Sequence, residues 1–279
     1  MTESSPVLQP AGVKHKVAQV ARRLLKPSLR REAEALRERL ERVEERRLLS
    51  IARAGRDVCW PERAEDEPLV TIRIPTYNRG QLVVDRAIAS AIAQTYERVE
   101  ILVIGDNCDE ATEKAVKGVN DPRVRFVNLP SRGIYPADPQ QRWMVAGTAP
   151  MNAGLILAKG SWIAPCDDDD ELTADHVEVL LKAATEHRFE MVYSQARWEV
   201  APGQWVTVGS EPLQEGRITH GSAFYSLGLR FMKHSNTSWK LQEPGDWNLW
   251  RRMKAVGVRI GFLQQVTFTH YLENRESQA

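Results

Sequence analysis

The chain has 279 residues, 42% of them hydrophobic and 27% charged, with a formal net charge of +1. That composition suits a globular chain with room for one large domain, or a medium domain and an extension. It gives no support for a general nucleic-acid or membrane-surface binder, which would carry a basic excess. No stretch approaches the roughly 18 apolar residues of a membrane span, and no signal-peptide core opens the chain. Cys59, Cys108 and Cys166 lie far apart without a CxxC pair, a pattern of reduced thiols in a cytosolic protein.

Residues 1–13 are polar, with two prolines and a glycine, and read as a disordered start. A basic amphipathic pattern follows from Val17 to Leu25, a candidate for peripheral contact with the inner membrane face, and Pro27 interrupts it. Leu29, Ala33, Leu36, Leu40 and Val43 then recur at alternating steps of four and three. This spacing predicts a helix with a short seam that docks on the body or pairs with a second copy as a homodimer. Asp57 to Pro68, rich in proline and acids, reads as a linker. Residues 1–67 therefore form a helical extension and linker, and residues 68–279 the main domain.

From Leu69 the pattern changes. Strands are predicted at 69–74, 99–104, 124–127, 161–164 and 191–193. Helices are predicted at 85–93, 110–117, 152–158 and 174–185 between and after them. Such alternation means βαβ units and an α/β fold with a mainly parallel sheet flanked by helices. Beyond Val200 the pattern loosens to a strand at 203–208, a helix from Gly245 to Met253, and strand-like runs at 259–263 and 266–268.

In parallel sheets, ligands bind beyond the carboxyl ends of the strands. Three loops directly follow strands: Pro75-Thr76-Tyr77-Asn78-Arg79, Gly105-Asp106-Asn107 and Cys166-Asp167-Asp168-Asp169-Asp170. All three should share one rim. Four adjacent carboxylates repel one another unless a cation or solvent offsets them, and oxygen ligands suit Mg²⁺ or Mn²⁺. A solvated acidic turn is the plainer reading of the tetrad taken alone. Neither Gly-x-Gly-x-x-Gly nor Gly-x-x-x-x-Gly-Lys occurs, so the common dinucleotide and P-loop fingerprints are absent.

Taken in order, the motifs resemble family 2 glycosyltransferases, whose fold is the Rossmann-like GT-A fold. The resemblance rests on Ile72 to Arg79, Ala89 to Tyr96, Glu100 to Asp106, Asn152 to Leu155 with Ala158-Lys159-Gly160, the acidic tetrad, and Gly245 to Trp250. It covers about residues 68–272, with residues 68–195 as donor and metal half and 196–279 as acceptor half. It implies that Pro75, Thr76, Tyr77 and Arg79 belong to the loop around the nucleotide base and that Asp106 reads the uracil edge. Asp167 and Asp168 would lie near ribose and metal, and Asp169 would bind Mn²⁺ or Mg²⁺ directly (the DXD motif). His270 would complete the metal site, and Asp246 would be the catalytic base. Gly105 and Gly245 stand where the family frequently carries acids.

The implied activity is inverting, metal-dependent transfer of a sugar from a nucleotide-diphospho-sugar, UDP-based, to an acceptor hydroxyl. The acceptor could be a glycan, a lipid-linked glycan, a protein or a small molecule; no nucleic acid is involved. Arg132 is a candidate contact to phosphate or acceptor, and the later tryptophans are candidates for sugar stacking. His234 reads as structural, and Cys166 as a packed thiol. Two rivals share these acids. A nucleotidyltransferase would need a glycine-rich phosphate loop near the first strand, where Pro75 to Arg79 stands. A catalytically silent nucleotide-sugar or glycan scaffold would bind without turnover.

Overall fold

The structure is a computed structural model, and it describes residues 27–55 and 67–272. The basic pattern at Val17 to Leu25, Cys59 and most of the expected linker lie outside those residues. The chain divides into two compact units, residues 1–41 and 42–279. One helix, α1 (Pro27–Ala54), supplies the described part of the first unit and opens the second. Its first position is Pro27, where the missing N–H costs no intrahelical bond. Among the described residues no helix is long and apolar enough to cross a membrane.

The second unit is built on one mixed sheet. Its strands are β1 (Val70–Thr76), β2 (Val99–Gly105), β3 (Val124–Asn128), β4 (Trp162–Pro165), β5 (Glu171–Leu172), β6 (Met191–Ala201), β7 (Gln204–Val208), β8 (Ala223–Ser226) and β9 (Ile260–His270). The order is β3-β2-β1-β4-β8-β6-β9-β5, with β7 paired to β6. β3, β2, β1 and β4 are parallel, as are β6 and β9. β8 enters antiparallel between β4 and β6. The strand order reverses beside β1, where chain from β2 leaves to one side and β4 sits on the other. This is the switch point at which α/β sheets open a crevice.

The helices are residues 81–92 (α2), α3 (Glu110–Lys117), α4 (Pro139–Trp143), α5 (Thr148–Leu157), α6 (His176–His187) and α7 (Gly245–Val256). α3 runs over the residues expected, capped by the Asp109 side chain on the Thr112 N–H at 2.9 Å. α2 starts earlier than expected and carries a π turn at Val84–Ile88. Several elements depart from the sequence reading: β5 and α4 were not expected, and β6 runs to Ala201 where a strand was expected only at 191–193. β8 had no signal, and the two runs expected at 259–263 and 266–268 form the single strand β9, whose pairing with β6 is irregular near Gln195.

Two cores cover the two faces. On one, Val70, Ile72 and Ile74 pack with Val83, Ala87 and Ile88 of α2 and Val177, Leu180 and Ala184 of α6. On the other, Ile163, Met191 and Tyr225 pack with Leu249, Trp250 and Met253 of α7 and with Leu49 and Ala52 of α1. Each buried valine, leucine, isoleucine or methionine among them contributes roughly 1.5–3 kcal/mol. Strand alternation sends Arg73 to the second face, where it is fully buried.

Candidate active site

β1 and β4 run side by side in parallel register, Arg73 opposite Pro165. The loops that leave them, Thr76 to Arg79 and Asp167 to Asp170, therefore emerge together. Asp106 follows β2 on the other side of β1, its N–H donating to the Thr76 carbonyl at 2.9 Å. Pro75 lies within β1 opposite Ile104. Asn78, with φ 51°, turns the chain so that its own Oδ1 accepts the Asp109 N–H at 2.8 Å. Gly105 keeps this corner narrow: a Cβ there would lie 2.5 Å from Asn128 Oδ1. An acid at 105 would have to displace the Asn128 side chain.

Arg79 reaches across the rim. Its Nη2 donates to Asp169 Oδ2 at 2.9 Å and its Nε to Asp168 Oδ1 at 3.3 Å. The Tyr77 N–H faces Asp168 Oδ2 at 3.4 Å, and Arg86 Nη1 donates to the Asp169 carbonyl at 2.8 Å. One arginine does not balance these acids. Burial, with Asp169 alongside, pushes the Asp168 carboxyl up to about 7 against the pull of Arg79. Burial raises Asp169 as well, again opposed by Arg79.

Asp167 and Asp170 take separate partners. Burial opposes ionisation of Asp167, but His220, whose Nδ1 lies 2.7 Å from Asp167 Oδ1, holds the carboxyl below its usual range. The other His220 nitrogen meets Arg73 Nη2 at 3.1 Å. Arg73 also donates to the Met151 carbonyl and the Tyr225 hydroxyl and lies 3.3 Å from His234 Nε2. A buried chain thus runs from Arg73 through His220 to the first acid of the tetrad. Asp170 is fully buried and accepts from His270 Nδ1 at 2.8 Å and the Tyr271 N–H at 2.9 Å. Burial pushes Asp170 up to about 7. Burial alone would lower the His270 imidazole, but its bond to Asp170 and the surrounding acids push it up to about 9.

Asp246 sits in the first turn of α7, where the N-cap is Pro244, so it is not the helix cap. Its Oδ1 accepts the Trp247 N–H at 2.7 Å. Burial raises its pKa; His220 pulls the other way and Asp167 adds to the rise. A Cβ at Gly245 would meet the Met144 carbonyl oxygen at 3.1 Å, which leaves little room for the acid frequent there in relatives.

Asp106 is engaged by its own chain. It is 3% exposed, and its two oxygens accept from the Gly133 N–H at 2.8 Å and the Tyr135 hydroxyl at 2.6 Å. From the same loop, the Arg132 guanidinium lies over the Tyr77 ring at 3.7 Å. Both the polar edge and the flat face expected to receive a base are thus covered by residues 132–135. Gly133 permits this, since a Cβ there would fall 2.5 Å from the Tyr135 hydroxyl.

Among the described residues no three His, Cys, Asp or Glu side chains form a ready cage for a metal. The donor set nevertheless suits a hard cation that brings water and phosphate ligands of its own. Asp168 and Asp169 are acids held against repulsion, and Asp169 has 16% of its side chain exposed. His270 has Nδ1 fixed by Asp170, so Nε2, once it gives up its proton, is the atom left for a metal, the arrangement common in metal-binding histidines.

Sequence reasoning missed His220, Arg73 and Tyr135. A lone histidine, a strand arginine and a loop tyrosine have no spacing that marks them. Of the tryptophans singled out, Trp250 is core and Trp143 is exposed. His234 is buried against Arg73 as a structural residue. Cys166 is fully buried, and burial pushes its thiol well above the usual range.

The sequence model described as Glycosyl transferase family 2 matches residues 71–137 and 142–255. The chain is 26% identical over 215 residues to the chondroitin synthase of Pasteurella multocida (strain Pm70), across 74% of this chain but only 21% of that protein. S. aureus TarS 1–349 in complex with UDP-GlcNAc matches with a TM-score of 0.60 and 17% identity, over 76% of this chain and 61% of that one. The mannosyltransferase PcManGT from Pyrobaculum calidifontis, in complex with GDP-Man and Mn²⁺, matches with a TM-score of 0.56 and 18% identity, over 88% and 70%. At such identities the likeness speaks for the fold alone, and that fold is the GT-A fold implied by the motifs.

Proposed function

The chain belongs to glycosyl transferase family 2, and on that premise we propose that it moves a sugar from a uridine-diphosphate-sugar to an acceptor hydroxyl, with inversion. The observation that carries this reading is the meeting of the base loop, the tetrad and Asp106 at the β1/β4 switch point, where Arg79 bonds Asp169 and the Asp106 N–H bonds the Thr76 carbonyl. The donors named with TarS and PcManGT support a nucleotide-sugar for this chain too.

In this reading, residues 68–195 hold the donor and 196–279 the acceptor. Tyr77, Thr76 and Pro75 surround the base, and Asp106 accepts from the N–H edge of uracil. Asp106 must first release Tyr135, and Tyr77 must lose Arg132, so the 132–135 loop moves as the donor enters. Arg79 is then free to leave Asp169 and meet the diphosphate. Asp169 with His270 Nε2 would hold Mn²⁺ or Mg²⁺, and Asp167 and Asp168 face ribose and metal. The bound cation supplies neutralisation of charge on the departing diphosphate.

Asp246 takes the proton of the acceptor hydroxyl as that oxygen bonds to the anomeric carbon. The bond from that carbon to the β-phosphate oxygen breaks, and its electron pair leaves on UDP. Burial raises the Asp246 pKa toward the working range of a base near neutral pH. Attack opposite the leaving group, with no covalent enzyme intermediate, inverts the centre. The test is UDP release from UDP-sugars with Mn²⁺, with water or a sugar as acceptor. The wild type should release UDP and Asp169→Ala should not. Equal rates in the two would remove Asp169 from the chemistry, and no release from any nucleotide-sugar would refute the activity.

A further inference from the structure

α1 carries two apolar faces, and among the described residues one is buried and the other exposed. Toward its C-terminal end Leu49 and Ala52 are buried in the second core, and Glu45 pairs with Arg252. Val43 lies nine residues before Ala52, half a turn out of phase with it, and is 69% exposed. Leu40, at 67%, and Leu36, at 58%, continue the Val43 stripe, as does Leu29. The stripe ends where Arg47 and Ser50 take the next two positions, beside the start of the buried face.

We infer that this stripe is the seam of a parallel, two-stranded coiled coil formed with a second copy of the chain. The flanking charges select that occupant and that orientation. With Leu29, Leu36 and Val43 at d and Ala33 and Leu40 at a, the g positions hold Glu32, Arg39 and Arg46 and the e positions Arg30, Arg37 and Glu44. In a parallel pair each g residue meets the e residue five positions on in the other copy. Glu32 then faces Arg37 of the second copy, and Arg39 faces Glu44, opposite charges at both contacts. An antiparallel pair centred on the same seam sets Arg37 against Arg37 and Arg39 against Arg39 at its middle, which offsets the opposite charges it brings together at its ends, Arg30 with Glu44 and Glu32 with Arg46; the parallel pair has no such like-charge contact. Within one copy Arg37 pairs with Glu41 and Arg47 with Glu44. These are exposed pairs of small worth, and they yield easily to contacts across the seam.

The seam spans two heptads, so the dimer should dissociate on dilution. The test is sedimentation equilibrium of the full chain over a wide concentration range. The wild type should shift from monomer to dimer mass as concentration rises. Leu40→Asp, at an exposed position that leaves the fold intact, should stay monomeric with an unchanged melting temperature. Arg37→Glu should weaken association at least tenfold, and adding Glu32→Arg to it should restore it. Leu36→Cys should cross-link to itself on oxidation, beyond the wild-type background, because d residues meet in parallel. A wild type that stays monomeric at every concentration overturns the proposal, including the case in which the chain's own first residues cover the stripe. Association unaffected by Leu40→Asp overturns it too, and a dimer that Leu36→Cys does not cross-link overturns the parallel orientation.

Discussion

Buried carboxylates lie at both ends of the sheet, and they are treated in opposite ways. At the amino-terminal end, Glu190 is fully buried before β6 and accepts two bonds from Arg53, at 2.6 and 2.7 Å, and the Arg259 N–H at 2.8 Å. Glu100 accepts from the Thr71 hydroxyl at 2.6 Å and from Arg125. Burial opposes their ionisation, yet these partners hold both below the usual range. At the carboxyl-terminal rim, Asp168, Asp169, Asp170 and Asp246 are all raised, and Asp167, held low by His220, is the exception. The difference is one of supply. An isolated acid with dedicated donors is an anchor, whereas the raised acids of the rim, with fewer donors than charges, are poised to receive more positive charge. The first arrangement holds the fold, and the second stores negative potential for a ligand.

Exchanging charge for amide at each end should separate these roles. Asp246→Asn should cut UDP release by roughly 10²–10⁴-fold, the usual worth of a general base, while donor KM holds. Loss of donor binding instead would move Asp246 into the donor site. Glu190→Ala should leave turnover per folded molecule intact but lower stability by about 2–3 kcal/mol, read from urea melts, because Arg53 and the Arg259 N–H lose their acceptor. If activity falls and stability does not, Glu190 is no mere anchor.

Asp168→Asn should do the reverse of Glu190→Ala, raising the stability of the ligand-free protein by about 1–2 kcal/mol while impairing donor binding. Its pH dependence sharpens the contrast. With a folded pKa of about 7, against roughly 3.9 unfolded, Asp168 binds more protons folded than unfolded between those values. Its contribution to stability is thus present in acid and lost as pH rises through about 7. The gain from Asp168→Asn should grow across that window. The loss from Glu190→Gln should fade in acid, because a lowered carboxyl contributes fully above its unfolded pKa, roughly 4.3, and loses that contribution as pH falls through its lower folded value. A flat difference for either variant breaks the comparison. The smallest effect expected is at Tyr135→Phe: freeing one Asp106 oxygen from a bond worth about 1 kcal/mol should tighten UDP binding several-fold by calorimetry. Unchanged or weaker binding would show that the loop does not compete with the base.

The rim was legible because its acids and polar loops each follow an apolar strand, and parallel topology alone brings strand ends together. Much of β1 to β4 and all of α3 could be read from the alternation of apolar runs and breakers. β8 could not, because Ala223 to Ser226 is four residues long and lies antiparallel between two strands that are distant in sequence. β9 reads as two strands because Gln264 and Gln265 interrupt its apolar pattern where its register with β6 shifts. His220 and Arg73 were invisible for another reason. Their meaning comes from a contact 147 residues apart, and neither has a local partner that would mark it. The outward stripe of α1 was visible as a seam, but which side of the helix the body covers is a tertiary fact.

The most direct measurement is a thermal-shift titration of the wild type and Asp169→Ala with UDP- and GDP-sugars, each with and without Mn²⁺. A ligand that binds only the folded protein raises its apparent stability by mass action. The wild type should be stabilised by a UDP-sugar far more strongly with Mn²⁺ than without it, and Asp169→Ala should lose that metal-dependent increment. A wild type that no nucleotide-sugar stabilises, or an Asp169→Ala variant that responds as the wild type does, would contradict the account.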